Sequence, residues 1–226
     1  MRLVIDSADT KWIKKIVECF PIDGVTTNPS IVVKEKKPFL PLLREIRSLI
    51  GDDKDLFVQT ISTDAKGIIQ EAESIVNAIS GKVVVKIPVT MEGIKAIKHL
   101  HSLGIRTLAT TVYTPMNAFL AAKAGADFVA PYVNRIDNLS GNGVKVVEEI
   151  EAIFRKHELK CEILAASFKN VQQIQQVCLA GAHGVTAAPD LIESFIKIPS
   201  ISSNVEDFKR DWVSLYGEEH LTIEAE

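Results

Sequence analysis

The sequence has 226 residues, of which 46% are hydrophobic and 24% are charged, and its formal net charge at pH 7 is −3. This composition is typical of a soluble globular protein, and the length suits one large domain or two small ones. The sequence lacks a basic stripe and has no apolar run approaching the roughly 20 residues that cross a bilayer, which argues against nucleic-acid binding and membrane insertion.

The cysteines and histidines give no indication of a metal site or a disulfide framework. The three cysteines, Cys19, Cys161 and Cys178, are odd in number and show no CxxC spacing. The five histidines are scattered, and His99 and His101 have the wrong spacing to share a helix face. Since nothing at the N-terminus resembles a signal peptide, we expect a reducing, cytoplasmic location.

Eight short runs rich in β-branched and apolar residues predict strands. In chain order they are residues 2–5, 24–27, 56–60, 83–87, 107–112, 127–133, 162–167 and 184–188. Stretches with the 3.6-residue period of an amphipathic helix lie between them, for example at 65–79, 94–100 and 144–154. Asp64 and Thr90 precede the first two of these stretches and are predicted to cap them.

Eight strand-then-helix units predict an α/β protein, specifically a single (β/α)₈ TIM barrel covering residues 1–226. A doubly wound open sheet is the alternative, but no GxGxxG follows the first strand to support a dinucleotide site. A further C-terminal helix is predicted at residues 202–217, packing on the barrel or on a neighbouring subunit.

Polar residues collect at the predicted strand ends, where (β/α)₈ barrels carry their active sites. Each of these residues alone has a plain structural explanation, such as a turn, a helix cap or an ordinary strand threonine. The fact that they share this placement favours a functional site. The end of the eighth strand carries one polar candidate, Thr186. The candidate site residues at or just after the ends of the first seven strands are Asp6, Thr26, Asn28, Gln59, Lys86, Thr110, Tyr132, Arg135, Ser167 and Lys169.

Lys86 is a charge inside the otherwise apolar run VVVKIPV of residues 83–89. Its ammonium could snorkel to water, or the amine could be held in a dry site where burial lowers the lysine pKa. A neutral amine attacks a ketone to form a Schiff base, which stabilises carbon–carbon cleavage without metal or organic cofactor. We favour this catalytic interpretation.

Cleavage beside a Schiff base also requires an acid/base group, acting directly or through a positioned water. Gln59 can orient a water, and Tyr132 has a hydroxyl that can transfer a proton. Asp6 can hold substrate hydroxyls and help to move protons.

A phosphate group would find donors among the residues that follow the sixth and seventh strands. Arg135 offers a fixed fork of donors, although an ion pair with Asp137 is the alternative. Ser167 lies just before a helix predicted to begin near Asn170, and Lys169 would assist.

Four segments resemble the small transaldolase family, and within it the fructose-6-phosphate aldolase branch. They are DGVTTNPSIV at 23–32, VVVKIPVT at 83–90, APYVNRIDNL at 130–139 and ILAASFKN at 163–170. The resemblance implies a (β/α)₈ barrel, a class I mechanism with Lys86 as the Schiff-base lysine, and a decamer of two stacked pentamers.

The resemblance also implies the roles of other residues. Asp6 and Asn28 would hold hydroxyls of the dihydroxyacetone portion, and Thr26 would line the same pocket. Arg135 and Ser167 would bind phosphate.

Two positions favour the aldolase branch, one at the end of the third strand and one in the sixth. Transaldolases of this size resemble one another in having glutamate at the first position and phenylalanine at the second. This chain has Gln59 and Tyr132. In the aldolase branch a glutamine, a threonine and a tyrosine organise the catalytic water, and here they would be Gln59, Thr110 and Tyr132.

The predicted function is therefore reversible cleavage of fructose 6-phosphate to dihydroxyacetone and glyceraldehyde 3-phosphate. The first alternative is a transaldolase of the pentose phosphate pathway, which would transfer a dihydroxyacetone unit between sedoheptulose 7-phosphate and erythrose 4-phosphate. The second alternative is a non-catalytic protein that binds a sugar phosphate.

Overall fold

The structure is a computed structural model that describes residues 1–221. Its eight strands are all parallel and close into a barrel in the order β1 to β8, with β8 paired to β1. Helices alternate with the strands along the chain, so the predicted (β/α)₈ barrel is confirmed.

The strands are short, and each overlaps a predicted one. They are β1 Arg2–Asp6, β2 Gly24–Thr26, β3 Asp55–Gln59, β4 Val83–Pro88, β5 Thr107–Val112, β6 Phe128–Pro131, β7 Glu162–Ala165 and β8 Gly184–Ala187.

One short helix follows β2, and a 3₁₀ turn at Val33–Glu35 separates it from the next, longer helix. In chain order the helices are α1 Thr10–Cys19, α2 Pro29–Val32, α3 Phe39–Ile50, α4 Ala65–Ala78, α5 Met91–Ser102, α6 Pro115–Lys123, α7 Val133–Asn138, α8 Gly143–Lys156, α9 Val171–Leu179, α10 Pro189–Glu193 and α11 Pro199–Tyr216.

Side-chain caps fix where several helices begin. Asp64 accepts a hydrogen bond from the backbone N–H of Gly67 at the start of α4, and Thr90 accepts one from Gly93 at the start of α5. Both predicted caps are therefore confirmed. Such caps satisfy N–H groups that have no partner within the helix.

An apolar layer fills the lower part of the barrel. Because side chains alternate along a strand, every second residue points inward. The rings of Phe57 and Phe128 meet edge to face with centroids 5.4 Å apart at the centre of this layer. The buried cluster consists of Val4, Phe57, Val84, Leu108, Phe128, Ala130, Leu164 and Ala166.

Ion pairs cover the amino-terminal end of the barrel. Asp55 accepts hydrogen bonds from Arg106 at 2.7 Å and from Arg2 at 3.3 Å, and Arg2 also pairs with Glu162 at 2.7 Å. Both guanidinium groups stack on the ring of Phe128, within 5.5 Å of its centroid. With this end closed, the carboxyl ends of the strands are where a substrate can enter.

The predictions for the sixth and seventh strands each run two residues too far. The sixth is predicted to residue 133, whereas β6 ends at Pro131, because the chain turns into α7 with Tyr132 at its N-cap position. The seventh is predicted to residue 167, whereas β7 ends at Ala165 and Ser167 has a left-handed φ of 63°.

The described residues fall into two compact units, Met1–Ile192 and the segment from Glu193 onward. The first contains the whole barrel. In the second, α11 has proline at its first position and ends at Tyr216, and its C-cap Gly217 has a left-handed φ of 75°. The predicted helix at 202–217 is present with shifted bounds. Its predicted packing on the barrel or on a neighbouring subunit stays a prediction, and so does the description of residues 1–226 as a single domain. Residues 222–226 lie outside the described chain.

Candidate active site

The polar residues of the site lie one inward-facing position beyond the apolar layer. Lys86 follows Val84 by two residues on β4, and Thr110 follows Leu108 by two on β5, so all four point into the barrel. Above the apolar layer lies a cavity of about 160 Å³. Eight of the ten predicted site residues line it: Asp6, Thr26, Asn28, Lys86, Thr110, Tyr132, Arg135 and Ser167.

The amine of Lys86 lies inside the barrel and does not snorkel to the surface. The residue is 6% exposed, and Nζ donates a 2.7 Å hydrogen bond to the carbonyl oxygen of Thr27. Burial lowers the pKa of Lys86 from its ordinary value, and the negative charge of Asp6 partly opposes this effect. The cavity therefore favours a neutral, nucleophilic amine.

Asp6 ends β1, Asn28 follows the end of β2 by two residues, and both present polar groups to the same cavity. Oδ1 of Asp6 accepts a 2.8 Å hydrogen bond from the hydroxyl of Thr26. Oδ1 of Asn28 accepts from the backbone N–H of Ile31 and so caps α2, which leaves its amide N–H groups as donors. Asn28 thus serves as a helix cap and can also hold a substrate hydroxyl.

Tyr132 brings a hydroxyl group to the cavity. Its oxygen lies 2.7 Å from Oγ1 of Thr110, and its ring meets the ring of Tyr113 edge to face with centroids 5.8 Å apart. A bulge in β5 accompanies this placement: Thr111 has a φ of 60°, which is unusual for a β-branched residue. The hydrogen bond to Thr110 and the ring contact with Tyr113 therefore fix where the phenol lies.

Arg135 and Ser167 supply donors at another part of the wall. The guanidinium carbon of Arg135 lies 4.7 Å from the centroid of the Tyr132 ring. The alternative ion pair between Arg135 and Asp137 does not form, because Asp137 accepts hydrogen bonds from the backbone of Gly143 and the side chain of Gln173. The fork of Arg135 is therefore oriented by an aromatic face.

Two predicted site residues do not line this cavity. Gln59 pairs in register with Lys86, but it lines an adjoining cavity of about 410 Å³ together with Asn28 and Ile61. The backbone N–H of Lys169 is held by Oε1 of Gln173 at 2.7 Å, in the loop that leads to α9.

Sequence reasoning assigned no role to four further residues that line the cavity: Leu108, Ala130, Ala166 and Thr186. The signal that could have found them is the period of two. Each lies at an inward-facing position on its strand or directly after it, where apolar side chains shape a pocket and a threonine adds a hydroxyl.

Together these groups can form a Schiff base and move protons beside it, with a guanidinium available to an anion. Within residues 1–221, no group of three or more His, Cys, Asp or Glu is arranged to hold a metal ion. No helix in the same range has both the length and the apolar character needed to span a bilayer.

Comparison with known proteins gives a family match and a fold match. The family model for Transaldolase/Fructose-6-phosphate aldolase matches residues 3–221. A solved structure described as "Native KDPGal structure" superposes with a TM-score of 0.59 at 15% sequence identity, covering 84% of this chain and 82% of that one. At this identity the structural likeness supports the barrel fold alone.

Proposed function

Since the chain belongs to the transaldolase/fructose-6-phosphate aldolase family, we propose that it is a Schiff-base aldolase that reversibly cleaves fructose 6-phosphate. Membership indicates an enzyme of the class I aldolase/transaldolase type acting on a sugar phosphate. The observation that carries the proposal is the amine of Lys86, buried in a cavity that also holds a carboxylate, a phenol and a guanidinium.

The reaction begins when the neutral amine of Lys86 adds to the C2 ketone of the substrate. Loss of water gives an iminium ion, which accepts the electron pair of the C3–C4 bond as that bond breaks. The C4 hydroxyl loses its proton and glyceraldehyde 3-phosphate departs, leaving an enamine of the three-carbon unit. Protonation at C3 and hydrolysis, which consumes the water released earlier, return the free amine and dihydroxyacetone.

Asp6 and Tyr132 are the proposed proton-transfer groups. Asp6 and Asn28 bind hydroxyls of the three-carbon portion, and Thr26 orients the carboxylate of Asp6. Tyr132 supplies a proton to the enamine, with Thr110 as its hydrogen-bond partner. Each step uses a group that lines the cavity.

Arg135 and Ser167 are the proposed phosphate-binding residues. Phosphate favours planar, bidentate recognition by a guanidinium, and Arg135 is not engaged by Asp137. Lys169 would strengthen the local positive charge from its neighbouring loop. This arrangement supports a substrate that ends in phosphate.

A transaldolase is the second candidate, and the position of Gln59 favours it. The aldolase assignment relies on Gln59, Thr110 and Tyr132 acting together on a water, yet Gln59 lines the adjoining cavity. Without rapid protonation, the enamine would persist until it reacted with an aldose phosphate acceptor. The hydroxyl of Tyr132 inside the cavity supports the aldolase, because phenylalanine at this position could not protonate the enamine.

Location and assembly are further parts of the proposal. The three unpaired cysteines support a reducing compartment such as the cytoplasm. The proposed assembly is the homodecamer of two pentamers that the family resemblance implies. Native mass spectrometry of the purified protein would give the number of subunits directly.

Borohydride trapping tests the Schiff base. Reduction in the presence of fructose 6-phosphate should leave a covalent adduct that peptide mapping assigns to Lys86. Lys86→Met should form none, whereas Lys82→Met, which removes an exposed lysine just before the same strand, should trap like the wild type. An adduct that persists in Lys86→Met would contradict the mechanism.

A further inference from the structure

Three side-chain oxygens on neighbouring strands form a continuous hydrogen-bonded chain in the cavity wall. Oγ1 of Thr186 lies 2.5 Å from Oγ1 of Thr26, which lies 2.8 Å from Oδ1 of Asp6. Both threonines are buried, and the register brings them together because β1 lies between β2 and β8. These hydrogen bonds therefore link β8 to the carboxylate that faces Lys86.

The hydrogen bonds between these three oxygens run in one direction, from Thr186 through Thr26 to Asp6. A carboxylate only accepts hydrogen bonds, and each threonine hydroxyl has a single proton to donate. Thr26 uses its proton toward Asp6, so Thr186 must donate to Thr26. The other acceptor near Thr26, the carbonyl oxygen of Ile5, is 3.5 Å away and makes a much weaker bond.

We propose that Thr186 is a positioning residue of this site: its donated hydrogen bond commits the proton of Thr26 to Asp6 and so disperses the charge of the carboxylate that faces Lys86. The proposal rests on the proposed function of the same cavity. Without the hydroxyl of Thr186, the proton of Thr26 is free to turn toward Ile5. Asp6 would then lose its one hydrogen bond from the residues the structure describes, 1–221.

The loss should also change the pH dependence of the reaction. The hydrogen bond that Thr26 donates, strengthened by the one it accepts from Thr186, disperses the negative charge of Asp6, and its loss leaves that charge more localised. A more localised charge on Asp6 stabilises the ammonium form of Lys86 and raises its pKa. The titratable and charged groups that line the cavity are Asp6, Lys86, Tyr132 and Arg135.

The test compares two substitutions of Thr186 with a matched control elsewhere in the barrel. Thr186→Val removes the hydroxyl at nearly constant volume, and Thr186→Ser keeps it. Thr107→Val is the control, because Thr107 is a fully buried strand threonine whose hydroxyl has no hydrogen-bond partner in the described chain. The readouts are kcat and KM for fructose 6-phosphate, and the pH midpoint of borohydride trapping at Lys86.

We expect Thr186→Val to lower kcat about tenfold, as for loss of one hydrogen bond to a charged network, and to move the trapping midpoint to higher pH. Thr186→Ser should restore both quantities, and Thr107→Val should match the wild type. If Thr186→Val does not fold, Thr186→Ala removes the same hydroxyl and is compared in the same way.

Two results would overturn the proposal. One is a Thr186→Val enzyme with the kcat and trapping midpoint of the wild type. The other is a Thr186→Ser enzyme as impaired as Thr186→Val, since side-chain volume would then be the requirement. If the wild type forms no adduct at all, the proposed function itself is overturned. If the wild type traps normally and Thr186→Val is unaffected, only the role of Thr186 is overturned.

Discussion

Nζ of Lys86 donates a 2.7 Å hydrogen bond to the carbonyl oxygen of Thr27, which joins the fourth strand to the turn after the second. This bond holds the amine inside the cavity, where burial lowers the pKa of Lys86. The neighbouring carboxylate of Asp6 acts in the opposite direction. The balance between these effects has consequences for stability as well as for catalysis.

Lys86→Met should change how the stability of the fold depends on pH. The unfolded lysine titrates near its ordinary pKa of 10.5, and the folded one titrates lower. Between the two values the unfolded state binds more protons, so wild-type stability rises with pH in that window. Lys86→Met lacks this contribution, so its stability relative to the wild type should be greatest at neutral pH and decline toward pH 10.5.

Urea titrations of both proteins at several pH values measure this difference, with Lys82→Met as the control for an exposed lysine. Parallel pH profiles for the wild type and Lys86→Met would mean that Lys86 is no harder to protonate in the folded protein than in the unfolded one.

Tyr132→Phe should separate cleavage from transfer. The variant keeps the ring that contacts Tyr113 and Arg135 but loses the hydroxyl bonded to Thr110. We expect release of dihydroxyacetone to fall by about 100-fold, within the usual contribution of an acid/base group, while transfer to erythrose 4-phosphate is retained. Tyr113→Phe is the matched control, since Tyr113 contributes an edge-to-face ring contact. Equal loss of both reactions in Tyr132→Phe would contradict a specific role in protonating the enamine.

Arg135→Lys should weaken recognition of phosphate without blocking the chemistry. Lysine keeps the positive charge but lacks the planar fork and the stacking on Tyr132. Loss of one bidentate contact should raise KM for fructose 6-phosphate about tenfold or more. Borohydride trapping with unphosphorylated dihydroxyacetone should be unchanged. If that trapping falls in parallel with fructose 6-phosphate cleavage, Arg135 acts on the reacting carbons instead of the phosphate.

Arg47→Met should destabilise the barrel without altering the site. Arg47 is buried on α3 and donates to the backbone oxygens of Gly51, Lys54 and Lys82 at 2.7 to 2.8 Å. Its removal leaves three carbonyls without this donor, which should cost about 3 kcal/mol of unfolding free energy. Arg44→Met, at an exposed position on the same helix, should cost almost nothing. Thermal denaturation of the two variants side by side checks this, and equal melting temperatures would contradict it.

The period of two explains why so much of the barrel could be predicted. Val84 and Lys86 are two residues apart in an apolar run, so a buried strand had to turn both toward the same side. The same rule applies to Leu108 and Thr110 on the fifth strand. Once eight such strands close in order, their polar ends meet in one cavity, which is why eight of the ten predicted site residues line it.

The features of the site that could not be predicted depend on local backbone geometry and strand pairing, which no sequence pattern reports. Thr111, the fifth of the six residues of β5, has a left-handed φ of 60°, which is not expected for a β-branched residue. Tyr132 follows the end of β6 because a helix begins at Val133. Thr186 has an ordinary strand residue type, and only the pairing of β8 with β1 places its hydroxyl beside Thr26.

Release of glyceraldehyde 3-phosphate from fructose 6-phosphate, measured with and without erythrose 4-phosphate, tests the central claim most directly. We predict release without the acceptor, together with an equal amount of dihydroxyacetone, and none from Lys86→Met. Release that requires erythrose 4-phosphate would contradict the aldolase assignment and the role given to Tyr132, and would make the enzyme a transaldolase acting through the same lysine.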